Sequence, residues 1–218
     1  MNYIFDFDGT LVDSKQCSLL ATQKAFEILQ LNIPSQKQIE YYMGIPIEQS
    51  FSLMADRDLT EEEYNHLLET FRNYYKQFEN QTLVLFTNIP AVLEKLKREN
   101  NRLFVISSKK SDVLLRNLQT LEIDHYFDNL IGSDQVSHYK PHPAGILQLQ
   151  AIHDLDLEKS IMIGDAIFDI QMGAAAGCKT CAVTWGSHSK SNLLAQNPTY
   201  CIDEVEELLH LEGRSHFV

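Results

Sequence analysis

Short apolar runs alternate along this chain with longer segments in which apolar residues recur every three or four positions. Such runs predict buried strands, and the recurring spacing predicts helices, because side chains alternate between the faces of a strand but share one stripe of a helix. The runs are YIFDF at 3–7, LFVIS at 103–107, NLIGS at 129–133, SIMIGD at 160–165 and KTCAVTW at 179–185. Their alternation with helices predicts an α/β fold with a Rossmann-like parallel sheet covered on both faces.

Two of the connecting segments carry the end signals of helices. Asn88 and Pro90 open one apolar stripe, and proline suits a first helical turn because its missing N–H is not needed there. Gly177 follows three alanines and is expected to end their helix, since glycine readily adopts positive φ. These signals place helices between the predicted strands.

Residues 15–81 break the alternation because they contain no convincing strand pattern. They show two amphipathic helical stripes, and Thr60 with Glu63 predicts a capping box at the start of the second. A simple crossover needs only about a dozen residues. The pattern therefore predicts an all-helical cap domain at 15–81, inserted into an α/β core made of 1–14 and 82–218.

The apolar runs and the N-terminus of the chain indicate its location in the cell. No run approaches the roughly 20 apolar residues that a membrane helix needs, and the N-terminus lacks a signal-peptide pattern. We therefore expect a cytoplasmic protein without a membrane partner. The tail from Leu211, LEGRSHFV, is expected to fray.

The charge balance narrows the class of partner. Thirty acidic and eighteen basic side chains give a formal net charge of −12, which repels nucleic acid as well as anionic membranes. We therefore expect no nucleic-acid partner. Whether the chain is a monomer or a homodimer stays open.

The four cysteines are too few and too scattered for a disulfide framework, so reduced thiols are expected. Cys178 and Cys181 form a C-x-x-C, but they fall in a predicted strand, where residues three apart point to opposite faces. The sequence offers no second pair of ligands with suitable spacing. Packing is therefore favoured over metal or redox chemistry.

Chemically capable side chains follow the first four predicted strands. In an open parallel sheet, ligands bind beyond the carboxyl ends of the strands, so these positions are the ones able to converge. Taken singly, each has an ordinary interpretation as a turn, a helix cap or a solvated charge. The positions are Asp6 and Asp8 in IFDFDGTLVDS, Ser107 and Ser108, Lys140 in HYKPHP, and Asp165 and Asp169 in GDAIFD.

Together these residues indicate phosphoryl transfer. Asp6, Asp8 and Asp165 would repel one another unless a cation lay among them, and oxygen ligands suit Mg²⁺. Lys140 and the Ser107 hydroxyl would hold the phosphate, whose charge rises in the transition state. One carboxylate would act as nucleophile, and a second would protonate the leaving oxygen and then activate water.

At this point the chain resembles the haloacid dehalogenase superfamily of aspartate-nucleophile phosphohydrolases. The motifs DFDGTLVDS, VISS, the lysine of YKPHP and IGDAIFDIQMGAAAG match its four signatures in order. The resemblance implies that Asp6 is the nucleophile, that Asp8 is the general acid and base, and that Ser107 and Lys140 bind the phosphate, while Ser108 is a further candidate for substrate binding. It also implies a Mg²⁺ site formed by Asp6, the main-chain carbonyl of Asp8 and Asp165, with Asp169 in support.

The predicted helical domain is similar to the family's helical cap, which closes over the core. Closure requires two hinges, expected near residues 13–15 and 82–86. YMGIP, at 42–46, resembles a substrate-selecting loop, with Gly44 as a candidate substrate contact or a simple turn. Arg57 could pair with a substrate carboxylate, although an exposed arginine is usually solvated.

Several activities remain open within the resemblance. Asp8 favours phosphatases over dehalogenases, and Ser18 occupies the position where the sugar-phosphate mutases usually have histidine. The phosphonate-cleaving branch needs a cap lysine in a pattern that is not recognised here. The resemblance is greatest to the phosphoglycolate phosphatase-like group, which acts on small phosphorylated metabolites, with a mutase or pyrophosphatase as alternatives. A catalytically inactive phosphate-binding regulatory module is the alternative from a different class.

Overall fold

The computed structural model describes residues 1–213, without the side chains of residues 212 and 213. The predicted fraying of the tail is wrong for its described part, because Leu211 is buried and lies in a 3₁₀ segment, Val205–Gly213. The rest of that prediction concerns 214–218, which lie outside the described residues.

The strands confirm the predicted α/β class. Six of them form one parallel sheet in the order β5-β4-β1-β6-β7-β8, and β2 pairs with β3 antiparallel. The short strands β2, β3 and β8 were not predicted. The strands are β1 (Asn2–Phe5), β2 (Val12–Asp13), β3 (Val84–Leu85), β4 (Arg102–Ile106), β5 (Asn129–Ile131), β6 (Ser160–Gly164), β7 (Lys179–Val183) and β8 (Tyr200–Ile202).

The helices begin and end largely at the predicted signals. Thr60 and Glu63 form the capping box, and Gly177 ends its helix with a φ of 82°. None of the described helices has a stretch long and apolar enough to cross a membrane. The helices are α1 (Lys15–Ile28), α2 (Gln36–Tyr42), α3 (Ile47–Met54), α4 (Glu61–Thr82), α5 (Ile89–Arg98), α6 (Ser111–Thr120), α7 (Ala144–His153), α8 (Ile167–Ala176) and α9 (Lys190–Leu194).

The order of the sheet strands creates a crevice. The chain builds outward from β1 to β4 and β5, and then returns to the other side of β1 to add β6, β7 and β8. Two neighbouring strands, β1 and β6, are thus followed by connections that leave in opposite directions. Ligands of open parallel sheets bind at such a reversal, outside the carboxyl ends of the strands.

Alternate residues of the strands fill two cores, one on each face of the sheet. Phe5, Val105 and Cys181 belong to one core, whereas Phe104 and Cys178 belong to the other. The two cysteines of the C-x-x-C therefore lie on opposite faces, as expected. All four cysteines are free in the structure.

Helices α1 to α4 build a third core of their own. Phe26, Phe51 and Phe71 meet edge to face at its centre, and the long helices α1 and α4 pack along each other. The ribbon of β2 and β3 joins the two connections between these helices and the sheet. We propose on this basis that 15–81 form a cap domain and that 1–14 with 82–218 form the catalytic core.

Candidate active site

The charged centre of the molecule lies at the reversal between β1 and β6. Asp6 follows β1 directly, Asp165 follows β6 directly, and Asp169 lies in the first turn of α8. All three are buried, and carboxylate oxygens from the three lie within 4.8 Å of one another. The sheet thus brings together side chains that are up to 163 positions apart, from Asp6 to Asp169.

Asp165 is held in place by hydrogen bonds and by two close glycines. Its carboxylate accepts hydrogen bonds from the Thr10 hydroxyl at 3.1 Å and from the Ser187 backbone N–H at 2.6 Å. A Cβ atom on Gly9 would lie 2.2 Å from this carboxylate, and one on Gly186 would lie 2.1 Å from the Asp165 side chain. Two loops can therefore approach the carboxylate closely only because both positions lack a side chain.

Lys140 connects two carboxylates of the centre. Its Nζ donates to Asp6 at 2.5 Å and to Asp169 at 2.8 Å, and its side chain is only 4 % exposed. Burial alone would lower the pKa of Lys140, but the carboxylates of Asp169 and Asp6 outweigh it and raise this pKa. Lys140 therefore remains a cation in the interior.

The charged centre has more negative than positive groups. Burial raises the pKa of Asp6 to about 7, an increase that Lys140 opposes and Asp169 adds to. Burial and the nearby Asp6 raise the pKa of Asp165 to about 7, and burial raises that of Asp169. With all three ionised, Lys140 leaves two negative charges uncompensated, which is the charge that a divalent cation would supply. Three converging oxygen donors of this kind fit Mg²⁺.

Asp8 lies beside the charged centre, and its carboxylate is held by a residue that the sequence reasoning missed. Lys109 Nζ donates to both oxygens of Asp8, at 2.5 and 2.6 Å. The same ammonium group lies over the rings of Phe7, at 5.4 Å from the centroid, and Tyr75, at 4.6 Å. The available signal was the position of Lys109, two residues after Ser107 in the loop that follows β4.

The two serines after β4 make different contacts. Ser107 is buried, and its Oγ accepts a hydrogen bond from the Lys109 backbone N–H at 3.1 Å. Ser108 Oγ instead donates to the Gly44 carbonyl at 3.0 Å. A Cβ atom on Gly44 would lie 2.8 Å from Phe168, so the predicted loop at 42–46 packs tightly against the core. The roles of Ser107, Ser108 and Gly44 in phosphate or substrate binding stay predictions.

Arg57 lies elsewhere. Its guanidinium forms an exposed ion pair with Glu63 at 2.7 Å, near the start of α4. Arg57 is absent from the residues that line the cavity between the helices α1 to α4 and the loop after β4.

A cavity of about 120 Å³ lies between the helices α1 to α4 and the loop after β4. Asp8, Ser108 and Lys109 line its side toward the sheet, while Phe51 and Phe71 line its helical side. It therefore lies next to the carboxylate that the resemblance assigns as general acid. The sequence predicted closure by helices but no particular cavity.

Two sets of contacts hold the helical segment against the sheet domain. Near the end of α4, the buried Glu79 accepts from Arg116 at 2.8 and 2.9 Å and from Asn117 at 2.9 Å. At the other side, His188 stacks on Tyr41, with ring centroids 5.2 Å apart, and its Nε2 lies 3.1 Å from the Tyr41 carbonyl oxygen. Of these residues, Arg116 also lines the cavity.

The sequence of this chain is similar to those of known hydrolases. A family model described as haloacid dehalogenase-like hydrolase matches residues 3–183. The phosphoglycolate phosphatase of Aquifex aeolicus is 31 % identical over 95 % of this chain and 94 % of its own length. Pyrophosphatase PpaX of Oceanobacillus iheyensis is 26 % identical over 97 % of this chain and 96 % of its own length.

Solved structures of hydrolases from the same family have a similar fold. A haloacid dehalogenase-like family hydrolase from Streptococcus pneumoniae has a TM-score of 0.84 at 31 % identity, with 96 % of both chains covered. A crystal structure described as a predicted phosphoglycolate phosphatase from Haemophilus somnus has a TM-score of 0.89 at 26 % identity, again with 96 % of both chains covered.

Proposed function

Because the chain belongs to the haloacid dehalogenase-like hydrolase family, we propose that it is a Mg²⁺-dependent phosphatase that acts through an aspartyl-phosphate intermediate. Its substrates would be small phosphorylated metabolites. The observation that carries the proposal is the burial of Asp6 at the end of β1, in contact with Lys140 and close to Asp165 and Asp169.

The metal site of the proposal consists of Asp6, Asp165 and the main-chain carbonyl of Asp8, with Asp169 in support. When bound, Mg²⁺ would balance the uncompensated carboxylate charge and polarise the phosphoryl group. Lys140 would bind a phosphoryl oxygen and stabilise the charge that accumulates in the transition state. Ser107 would donate its hydroxyl to another phosphoryl oxygen.

The proposed reaction has two steps. A carboxylate oxygen of Asp6 attacks the phosphorus, the bond to the leaving oxygen breaks, and protonated Asp8 gives its proton to that oxygen. Asp8 then accepts a proton from water as the water oxygen attacks the phosphorus, which releases inorganic phosphate and frees Asp6. For the first step, Lys109 has to release at least one of the two Asp8 oxygens that it holds.

The relatives support two readings of the substrate. Some are named phosphoglycolate phosphatase and others pyrophosphatase PpaX, at 23 to 31 % identity. The phosphoglycolate phosphatase-like group is our first assignment because a relative at 31 % identity has that name, and membership of this group leaves the preferred phosphate ester open. Pyrophosphate hydrolysis is the second candidate, supported by the PpaX relatives.

Hydrolysis of p-nitrophenyl phosphate tests the proposed chemistry. We expect turnover with Mg²⁺, loss of turnover with EDTA, and a loss of at least about 10³-fold in Asp6→Asn, because the amide is a poor nucleophile. Asp56→Asn, an exposed carboxylate between α3 and α4, is the matched control and should keep full activity. Equal rates in wild type and Asp6→Asn would overturn the proposal.

Trapping the intermediate tests the nucleophile separately. Acid-quenched enzyme treated with borohydride should contain homoserine at position 6, because borohydride reduces an acyl phosphate to the alcohol. Absence of homoserine in enzyme quenched during turnover would contradict Asp6 as nucleophile. Absence of turnover on any phosphomonoester, with phosphate still bound, would favour the inactive regulatory module instead.

A further inference from the structure

The position of the cavity assigns it to one part of a substrate. In the proposed reaction the phosphoryl group contacts Asp6 and Lys140, whereas the leaving oxygen contacts Asp8. Asp8 lines the cavity, and Asp6 and Lys140 do not. The cavity therefore receives the leaving group, and its lining determines which alcohols fit.

The lining of this cavity is mostly apolar and aromatic. Burial of an uncompensated charge or polar group in such surroundings is costly, whereas burial of a ring is favourable. The lining includes the aromatic side chains of Tyr42, Phe51, Phe71 and Tyr75 and the aliphatic side chains of Ile39 and Ile45.

The cationic side chains of the lining are poor partners for an anionic leaving group. Of the four in the described part of the chain, Lys109 is bound to Asp8, Arg72 to Glu48 at 2.6 Å and Arg116 to Glu79 at 2.8 Å. The fourth, Lys110, is exposed at the rim, where ion pairs are worth little.

A carboxylate or second phosphate in the cavity would thus have to displace a carboxylate that is already present. Glu48 itself lines the cavity and would repel it. An uncharged group would neither have to displace a carboxylate nor be repelled by Glu48.

The volume limits the size of the group. An engineered protein cavity of about 150 Å³ lined by apolar side chains holds one benzene molecule. At about 120 Å³, this cavity is close to the volume that holds a single ring.

We propose that the preferred substrate is the phosphate monoester of an uncharged alcohol that carries one apolar ring, and that this ring occupies the cavity beside Asp8. The proposal rests on the proposed phosphatase function and narrows it. It assigns Ser18, Ile47 and Phe51 to selection of the leaving group, and it argues against phosphoglycolate and pyrophosphate as preferred substrates.

A panel of phosphate esters tests this selectivity. Benzyl phosphate and phosphoglycolate both release a primary alcohol, so their kcat/KM values compare the ring with the carboxylate. We expect benzyl phosphate to be preferred by at least about 30-fold, since a well-matched apolar group is worth about this much in specificity. Ethyl phosphate, adenosine 5′-monophosphate and pyrophosphate complete the panel as probes with a small, a large and a charged leaving group.

Two variants change the cavity in opposite directions. Ser18→Leu fills it and should reduce kcat/KM for benzyl phosphate about 10-fold more than for ethyl phosphate. Ile47→Ala enlarges it and should shift preference toward naphthylmethyl phosphate, whose leaving group has two rings. Leu53→Ala, on the same helix as Ile47 but 60 % exposed, is the matched control and should keep the wild-type preference.

The outcomes separate the two proposals. Preference for phosphoglycolate or pyrophosphate over benzyl phosphate would overturn the ring proposal while leaving the phosphatase in place. Equal effects of Ser18→Leu on benzyl and ethyl phosphate would overturn it as well, and Ile47→Ala gives an independent result if Ser18→Leu does not fold. If the wild type hydrolyses no phosphate ester with Mg²⁺, the phosphatase proposal itself is wrong.

Discussion

The charged centre around Asp6 and the apolar cavity beside Asp8 adjoin each other, yet they are built from different parts of the molecule. The charged centre lies on the ends of sheet strands and the helix that follows β6, whereas the cavity is lined largely by helices with a separate core. Rigid strands suit chemistry that needs fixed distances between the reacting groups. The residues on helices outside the sheet can differ without changing those distances. We therefore assign the reaction to the charged centre on the sheet and the choice of substrate to the cavity among the helices.

Two lysines, Lys140 in the charged centre and Lys109 beside the cavity, differ in the same way as these two regions. Lys140 binds two carboxylates and its side chain is 4 % exposed, whereas Lys109 binds one carboxylate and is 13 % exposed, with aromatic rings as its other neighbours. Moving Lys140 would leave two buried carboxylates without their partner, which is costly. Removal of Lys109 would affect only Asp8, which borders the cavity, so we expect a smaller loss of stability than at Lys140.

The largest effect is expected from Lys140→Met, which removes the cation of the charged centre. Two buried carboxylates would lose their partner, so we expect metal-free protein to lose about 3–5 kcal/mol of unfolding free energy. Activity should fall about 10³-fold with Mg²⁺ present, because a stabilising charge is lost from the transition state. Urea denaturation and steady-state kinetics measure the two effects, with Lys95→Met on the exposed side of α5 as control.

Lys109→Met tests whether the second lysine differs from the first. We expect kcat to fall roughly 10 to 100-fold through misplacement of Asp8, with a loss of stability well below that of Lys140→Met, since Asp8 borders the cavity. The same assays apply. A destabilisation as large as that of Lys140→Met would show that the two lysines contribute equally to stability, which would contradict the expected difference between them.

Glu79→Gln weakens the contact that joins α4 to α6. The variant keeps the size of the buried side chain but loses charge-assisted bonds to Arg116, so we expect a loss of about 1–3 kcal/mol of unfolding free energy. Because the charged centre is untouched, kcat for a small ester such as ethyl phosphate should change less than twofold. A large fall in that kcat would mean that the cap contact also positions the reacting groups.

The charged centre was predictable from sequence, because its residues follow apolar runs and parallel strands end at one edge. Asp6, Asp165 and Lys140 were expected to meet, and they do. The strand YIFDF was predicted too long, because the chain leaves the sheet after Phe5 to bring Asp6 to the centre. A three-residue strand such as β8 carries too little pattern to identify.

The cavity was not predictable for the opposite reason. Its lining comes from α1, α2, α3, α4, α6 and the loops that follow β1 and β4, and helical stripes do not reveal which helices face each other across a gap. Lys109 shows the problem most clearly, since its carboxylate partner is 101 residues away and its ring contacts come from both Phe7 and Tyr75. Such a position depends on packing between elements, which periodicity within one element does not encode.

The smallest effect is expected from pH at His188, where the cap contacts the core. Burial lowers the pKa of His188 below 6.5, and its Nδ1 accepts from the Ile167 backbone N–H at 3.3 Å, which requires an unprotonated nitrogen. The unfolded chain therefore binds a proton more readily than the folded chain. The stability contributed by neutral His188 is present above about pH 6.5 and is lost as pH falls below that value.

Comparison with His188→Gln isolates this contribution from the carboxylates that titrate in the same range. The unfolding free energy of wild type minus that of the variant should be greater at about pH 7.5 than at about pH 5.5, by roughly 1 kcal/mol or less. A difference that is constant with pH would show that His188 contributes by packing on Tyr41 alone. In either case the effect stays far below that of Lys140→Met, because His188 contacts the helical segment at the surface of the sheet domain, whereas Lys140 neutralises charges inside it.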